Sequence, residues 1–424
     1  MGSMIHLAVG RLEIDWGKNL GFVDHSALFQ ISDLAKVPYY CVEEGSAYVD
    51  DGGEHRWKLI TEYKDGLSKP LFQVIDRIEL LGYTLANCEK EFYYLSRLNG
   101  FDAHRFGFDQ LRTALATVDV GAISPDYGER GEDFGKFFRR EIFPRLGLSK
   151  IVDDPRYVQF EAAQGMENLT AYTILRLLGD NPAARDLPVN WAFNDLEEGG
   201  WAKRSDFVRL LDQSNRFLIV TEGSSDAAII KHAFAILKPH VADFFDFVDM
   251  EEGYPFSGTG NLFKFVQGLI SIAVQNNVIV VFDNDAEGVA SFNRCCKLNI
   301  PDNMRILKLP DLPEFCIFET IGPNGRHLAD INGQGAAIEC YLGLDGEPRV
   351  RWNNYNPAIE AYQGELIDKD RYKRAFLGQR EKISNYDYAK ITSVLDMIIR
   401  SCVGIREDDI GSEFDDRIED QSSD

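Results

Sequence analysis

The chain has 424 residues, 45% of them hydrophobic and 12% aromatic, and a formal net charge of -23. That length exceeds one ordinary domain of roughly 100–200 residues, so two folded domains are expected, and the apolar content excludes a disordered chain. The acidity excludes a broad phosphate-binding surface, because phosphates attract Lys and Arg and repel carboxylates, so any nucleic acid has to be held by a local basic strip, by metal ions or by a partner.

Met1, Gly2 and Ser3 ahead of Met4 read as an expression tag, and the fold reasoning starts at residue 4. Residues 4 to about 60 read as short strands and turns, with apolar alternation at Ile5, Leu7, Val9 and Leu12 and a turn at Asp50, Asp51, Gly52 and Gly53. Helical spacing follows in Leu71, Val74, Ile75, Ile78 and Leu81, with Ser68 as a cap ahead and Gly82 just past the end. Further helices are expected at about 88–98 with Asn87 as cap, then at 108–118, 135–143 and 160–178, which makes 4–180 a mainly helical domain. Residues 181–213, with Pro182, Pro188, Glu197, Glu198, Gly199 and Gly200, read as a connector.

Beyond it the texture changes. Strands are expected at 217–220, 244–248, 278–282 and 305–309, with helices at 226–237, from about 260 through 272, and at 287–297. Alternating strands and helices mean a parallel α/β sheet over 214–345. Residues 346–403 read as a helical extension. The stretch 404–424 carries nine acids against Arg406 and Arg417, a net of -7, and lacks periodic apolar positions, so it is expected to be disordered or ordered only by a partner.

Seven cysteines are scattered with no Cys-x-x-Cys pair, which argues against a zinc ribbon and a disulfide framework and for a reducing cytoplasm. No run approaches the roughly 18 apolar residues of a membrane span, and no charged-then-apolar leader opens the chain, so no membrane partner is expected. No phosphate loop of the Gly-x4-Gly-Lys-Ser/Thr kind is present, so no ATPase is recognisable.

In open α/β sheets function gathers at the carboxyl ends of the strands, and two of the expected strands end in acids. One gives Phe217-Leu-Ile-Val-Thr221-Glu222-Gly223, the other Val278-Ile-Val-Val-Phe282-Asp283-Asn284-Asp285. Crowded carboxylates repel one another unless a divalent cation neutralises them, and magnesium takes such hard oxygen ligands. Any one of these acids alone reads as a helix cap or a loop charge; both sets after two such strands point to metal.

Thr221-Glu222-Gly223 and Phe282-Asp283-Asn284-Asp285-Ala286-Glu287-Gly288 resemble the two motifs of the Toprim domain of topoisomerases, primases and OLD-type nucleases, over roughly residues 214–345. The OLD-like nucleases fit best, since neither a primase zinc ribbon nor a topoisomerase tyrosine domain is apparent. That resemblance implies a Rossmann-like parallel sheet and an endonuclease using Mg2+ or Mn2+, one ion or two, with Glu222, Asp283 and Asp285 catalytic. It also implies further metal ligands in Asp226, one helical turn after Glu222, and in Asp330 and Glu339, and finds an echo of a Gly-rich loop in Gly258-Thr-Gly260-Asn261. For Asp226 the plain alternative is an acid favoured at a helix N-terminus.

The whole layout resembles the HEPN/Toprim-associated proteins of bacterial anti-phage defence, with a HEPN-like helical domain ahead of the Toprim domain. It implies a nucleic-acid substrate (DNA or RNA, tRNA included), a cytoplasmic homo-oligomer, and an ATPase or other defence-system partner supplied by a separate chain. HEPN ribonucleases use Arg-x4-6-His, which Arg97 and His104 fit in its longest form, although Asn99 and Gly100 interrupt the helix there. A basic strip is offered by Lys136, Arg139, Arg140 and Arg145, with a second at Lys369, Arg371, Lys373 and Arg374; both also read as ordinary amphipathic helix faces. Two alternatives to the metal-dependent nuclease therefore stand: a HEPN ribonuclease using Arg97 and His104, and a non-catalytic regulatory subunit that docks a partner protein.

Overall fold

The computed structural model describes residues 2–43, 45–49, 55–56, 58–98, 107–123, 137–142, 144–145, 168–248, 259–357 and 360–421. Two compact units form, one of Met1–Leu211 with Arg406–Asp424 and one of Asp212–Ile405.

In the first unit, strands β1 (Met4–Val9), β2 (Leu12–Lys18), β3 (Leu34–Val42) and β4 (Leu59–Pro70) precede helices α1 (Leu71–Leu80), α2 (Leu85–Leu98), α3 (Phe108–Ala116) and α4 (Ala171–Leu178). Strand β5 (Pro188–Ala192) and the short helix α5 (Asn194–Glu198) follow. The strands form one antiparallel sheet in the order β2-β1-β5-β4-β3. Period-two alternation sends Ile5, Leu7 and Val9 into the core and leaves His6 and Ala8 on the opposite face. Strand content is thus larger than the expected mainly helical domain of residues 4–180. The expected connector 181–213 also holds β5, a central strand whose Trp191 is 1% exposed. Pro188 disguises that strand, yet it occupies the first strand position, where a missing N–H costs little. The expected turn at 50–53 and much of the expected helices at 135–143 and 160–178 fall outside the described residues.

In the second unit β6 (Phe217–Thr221), α6 (Ser224–Leu237), β7 (Phe245–Phe247), α7 (Thr259–Ser271), β8 (Asn277–Phe282), α8 (Ala286–Cys295) and β9 (Met304–Lys308) alternate as the sequence predicts. The sheet order is β9-β8-β6-β7, every pair parallel. Its central strand β8 is buried at all six residues, because helices cover both faces of such a sheet. Within the expected helical extension at 346–403 the helices begin only at Lys369, with strands ahead of them. A second sheet of β10 (Phe318–Gly322), β11 (Gly325–Ala329), β12 (Val350–Asn356) and β13 (Ala361–Leu366) comes before α9 (Lys369–Leu377) and α10 (Ala389–Gln421). β12 is mostly exposed and its Asn-rich text has no clean alternation, which hides it from a pattern reading.

The expected disordered tail 404–424 is corrected: α10 runs on to Gln421. Its apolar stripe continues sparsely through Cys402, Ile405 and Phe414, all buried. Gly411 lets the helix approach α2 closely, where Lys90 Nζ bonds Gly411 O at 3.3 Å and Asp415 at 2.6 Å and Asn87 Nδ2 bonds Glu407 O at 2.9 Å. Asn87 therefore lies inside α2 rather than capping it. Deleting residues 406–424 is expected to destabilise the first unit by about 2 kcal/mol or more, chiefly through the lost burial of Phe414. An unchanged melting curve after the truncation would show that the docked helix contributes nothing.

Candidate functional site

The site is built at the carboxyl ends of β6 and β8, which are neighbours with Thr221 opposite Val281. Glu222 follows β6 directly and Asp283 follows β8. Gly223 caps α6, and its N–H donates to Asp226 Oδ2 at 3.0 Å, so Asp226 does close the helix start. Asp285 caps α8 by accepting from Gly288 N–H at 2.8 Å, while Asn284 and Asp285 pair antiparallel with Ala336 and Gly335. That pairing brings the next segment alongside, so that Ile338 N–H donates to Asp283 Oδ1 at 3.0 Å. Glu339 then accepts from Ser225 Oγ at 3.4 Å. Five carboxylates from three separate stretches of sequence thus lie within electrostatic reach of one another, with Asp285 and Glu339 buried and Glu222, Asp226 and Asp283 half-buried.

Their ionisation records the crowding. Burial, then Asp285 and Asp226, push Glu222 up to about 9, against the Asp283 N–H that donates to Glu222 Oε1. Burial and Glu339 push Asp226 up to about 7, opposed by Gly223 N–H and the charge of Lys373. Asp283 is raised well above the ordinary carboxylate range, by burial and by Asp226, Glu222, Asp285 and Glu339 together. Asp285 is raised by burial despite hydrogen bonds from Gly288 and Gln363. Desolvated like charges without a counterion disfavour the ionised form, which accounts for every direction here.

Among the described residues no group of three or more His, Cys, Asp or Glu side chains stands arranged to hold a metal ion. Each of the five carboxylates turns an oxygen to a protein donor. The donor set nevertheless fits a hard divalent cation, being all oxygen and lacking an internal countercharge sufficient to hold the acids in their ionised form.

Asp330 does not join the cluster. It is exposed and closes a local turn, accepting from Asn332 N–H at 2.8 Å, so of the two downstream candidates only Glu339 is brought in. Of the loop Gly258-Thr-Gly260-Asn261, Gly258 lies outside the described residues and the rest opens α7. His104 and Lys136 lie outside them as well, as does the Arg139 side chain; Arg97 is exposed in the last turn of α2. Arg140 and Arg145 both pair with Glu141, which halves what they offer a phosphate.

Four residues that the sequence reading did not place in the site shape it. Asn284, fully buried between the two aspartates, donates to Asp311 and accepts from Lys308 Nζ at 2.6 Å and Gly333 N–H at 2.9 Å, which fixes the turn. Gln363 of β13 donates to Asp285 Oδ2 at 2.6 Å and accepts from Glu287 N–H at 3.0 Å. Lys373 on α9 is the cation that lowers Asp226, and it makes no ion pair among the described residues. Gly288 permits the close approach of α8: a Cβ there would lie 2.3 Å from Asp283 O and 3.0 Å from Glu222 Oε1. Gly288→Ala is accordingly expected to cost about 1–3 kcal/mol by overpacking, read from thermal denaturation; a melting temperature equal to wild type would disprove that tightness.

The family model of the HEPN/Toprim N-terminal domain 1 matches residues 1–215, half of the chain. The chain belongs to this family. Neither a curated protein nor a solved structure matches it. In this HEPN/Toprim family member the matched region ends before Glu222, so the acidic cluster stands on its own geometry. No helix among the described residues is long and apolar enough to cross a membrane.

Proposed function

We propose that the acidic cluster is the metal centre of a nuclease that cleaves phosphodiesters of DNA or RNA. The observation that carries this reading is the convergence of Glu222, Asp226, Asp283, Asp285 and Glu339 at the carboxyl ends of adjacent parallel strands, where their charges are mutually unfavourable. Asp283, Asp285 and Glu222 would hold one divalent ion, Mg2+ or Mn2+, and Asp226 with Glu339 offers ligands for a second. When bound, such an ion supplies polarisation of the phosphate and neutralisation of transition-state charge.

The remaining steps belong to the chain's own side chains. Asn284, Gln363 and Gly288 fix Asp283 and Asp285 in place. Glu222 either shares that ion or, as a carboxyl pushed up to about 9 while no cation offsets its neighbours, takes the proton from the attacking water. Lys373, which makes no ion pair among the described residues, offers a cation to a substrate phosphate in a chain of net charge -23.

The purified chain should cut plasmid DNA or tRNA in millimolar Mg2+ or Mn2+, and chelation should stop it. No cleavage of either substrate with either ion would favour the second reading, a non-catalytic subunit that docks a partner. The satisfied hydrogen bonds of the five carboxylates support that second reading. A role as an anti-phage effector, with a separate ATPase or other defence protein as partner, rests on the resemblance to HEPN/Toprim-associated proteins, and counting plaques on cells with and without the gene tests it.

A further inference from the structure

The first unit holds a cavity of about 230 Å3 on the face of its sheet that carries His6 and Ala8. Cross-strand pairing sets His6 opposite Ala192 and Ala8 opposite Asn190, so two alanines floor the hollow where larger side chains would fill it. Its walls combine an aromatic face with hydrogen-bonding groups. The Arg11 guanidinium lies 5.6 Å from the centre of the Tyr40 ring. His6 Nδ1 sits 2.5 Å from Glu13 Oε2, which engages one ring nitrogen and that carboxylate oxygen. Asn190 accepts from Ser68 Oγ at 2.8 Å through Oδ1, leaving its amide N–H2 to donate. Asp195 takes Lys64 Nζ at 2.9 Å on one carboxylate oxygen only.

We infer that this cavity binds a planar heteroaromatic base bearing an exocyclic amino group, as in a purine or cytosine. The volume falls below the roughly 300–1,000 Å3 of drug-sized sites, so one ring system is what it accepts. A flat ring stacks against Tyr40 and Arg11, as bases do on aromatic and guanidinium planes. Its amino group meets the Asp195 carboxylate, and its ring nitrogens or carbonyl meet the Asn190 amide. The base reaches the cavity either in a free nucleotide or as an unstacked base of a single strand.

Calorimetric titration of the full chain with AMP, GMP, CMP and UMP, and separately with a single-stranded oligonucleotide of mixed sequence, tests the inference. Saturable binding is expected for at least one nucleotide with an exocyclic amino group, with UMP weakest, if the source is free. Binding of the oligonucleotide alone assigns the same site to a strand. Ala8→Trp, which fills the floor, should abolish binding, and the rim variant Arg11→Ala, which leaves the core untouched, should weaken it about tenfold through loss of the stack. Circular dichroism confirms that both variants are folded. No binding of any probe, binding that favours UMP, or binding unaffected by Arg11→Ala and by folded Ala8→Trp would overturn the inference.

Discussion

Asp283→Asn is expected to lower phosphodiester cleavage by about a thousandfold or more, equivalent to ~4 kcal/mol of transition-state stabilisation, while leaving the chain folded. Asparagine keeps the shape and can still accept from Ile338 N–H through its carbonyl oxygen, so the turn survives. What it lacks is the negative charge that a divalent ion requires. Asp285→Asn should act in the same direction, but it also weakens the α8 cap and the bond from Gln363, so some stability should go with activity. Glu222→Gln removes that carboxyl as ligand and as proton carrier alike, and should leave no cleavage at any pH. The measurement is single-turnover cleavage beside thermal melting with and without Mn2+. An Asp283→Asn protein that cuts within tenfold of wild type and whose melting responds to Mn2+ as wild type does would end the metal-centre reading.

The parts of this site that were legible in the sequence share a physical cause. Strands buried on both faces of a parallel sheet must be apolar throughout, so Phe217–Thr221 and Asn277–Phe282 announce themselves, and the acids that end them stand at the sheet's carboxyl edge by necessity. Asp226 and Glu339 were legible only as candidates, and Asp330 shows why: an Asp two residues ahead of an Asn makes a self-contained turn as readily as a ligand. Gln363 and Lys373 left no local signal. They reach the site through the tertiary placement of β13 and α9, at sequence separations over which no periodicity carries information. The same holds for β5, which packs as a central strand between β1 and β4 although its own text, opened by Pro188, resembles a loop. The end of α10 was hidden differently: dense acids imply repulsion, yet Lys90 and the carbonyl contacts of Gly411 and Glu407 offset it once Gly411 lets the helices meet.

In EDTA the stability of the chain should fall as pH rises from about 5 to about 9, opposite to the usual acid-driven loss. Glu222 and Asp226 have folded values pushed up to about 9 and about 7, whereas in the unfolded chain both titrate in the ordinary carboxylate range. Between those limits the folded protein binds more protons than the unfolded one, so stability is fully present below the unfolded value and is lost as pH climbs through the folded one. Each group contributes up to about 1.4 kcal/mol per pH unit, so both act between roughly pH 5 and 7 and Glu222 continues toward 9. Asp283 and Asp285 shift the same way and steepen the slope. Glu91 in the first unit is also raised by burial, so the decisive comparison is between wild type and Asp226→Asn, which removes one titrating carboxyl of the cluster and should flatten the pH 5–7 portion. Because a divalent cation binds the ionised acids, millimolar Mg2+ or Mn2+ should raise the melting temperature far more at pH 8 than at pH 5.5. Denaturant melts at both pH values, with chelator and with each ion, read the effect directly. A wild-type profile that is flat in EDTA, or a metal response equal at the two pH values, would mean that the five carboxylates do not form one electrostatically coupled site.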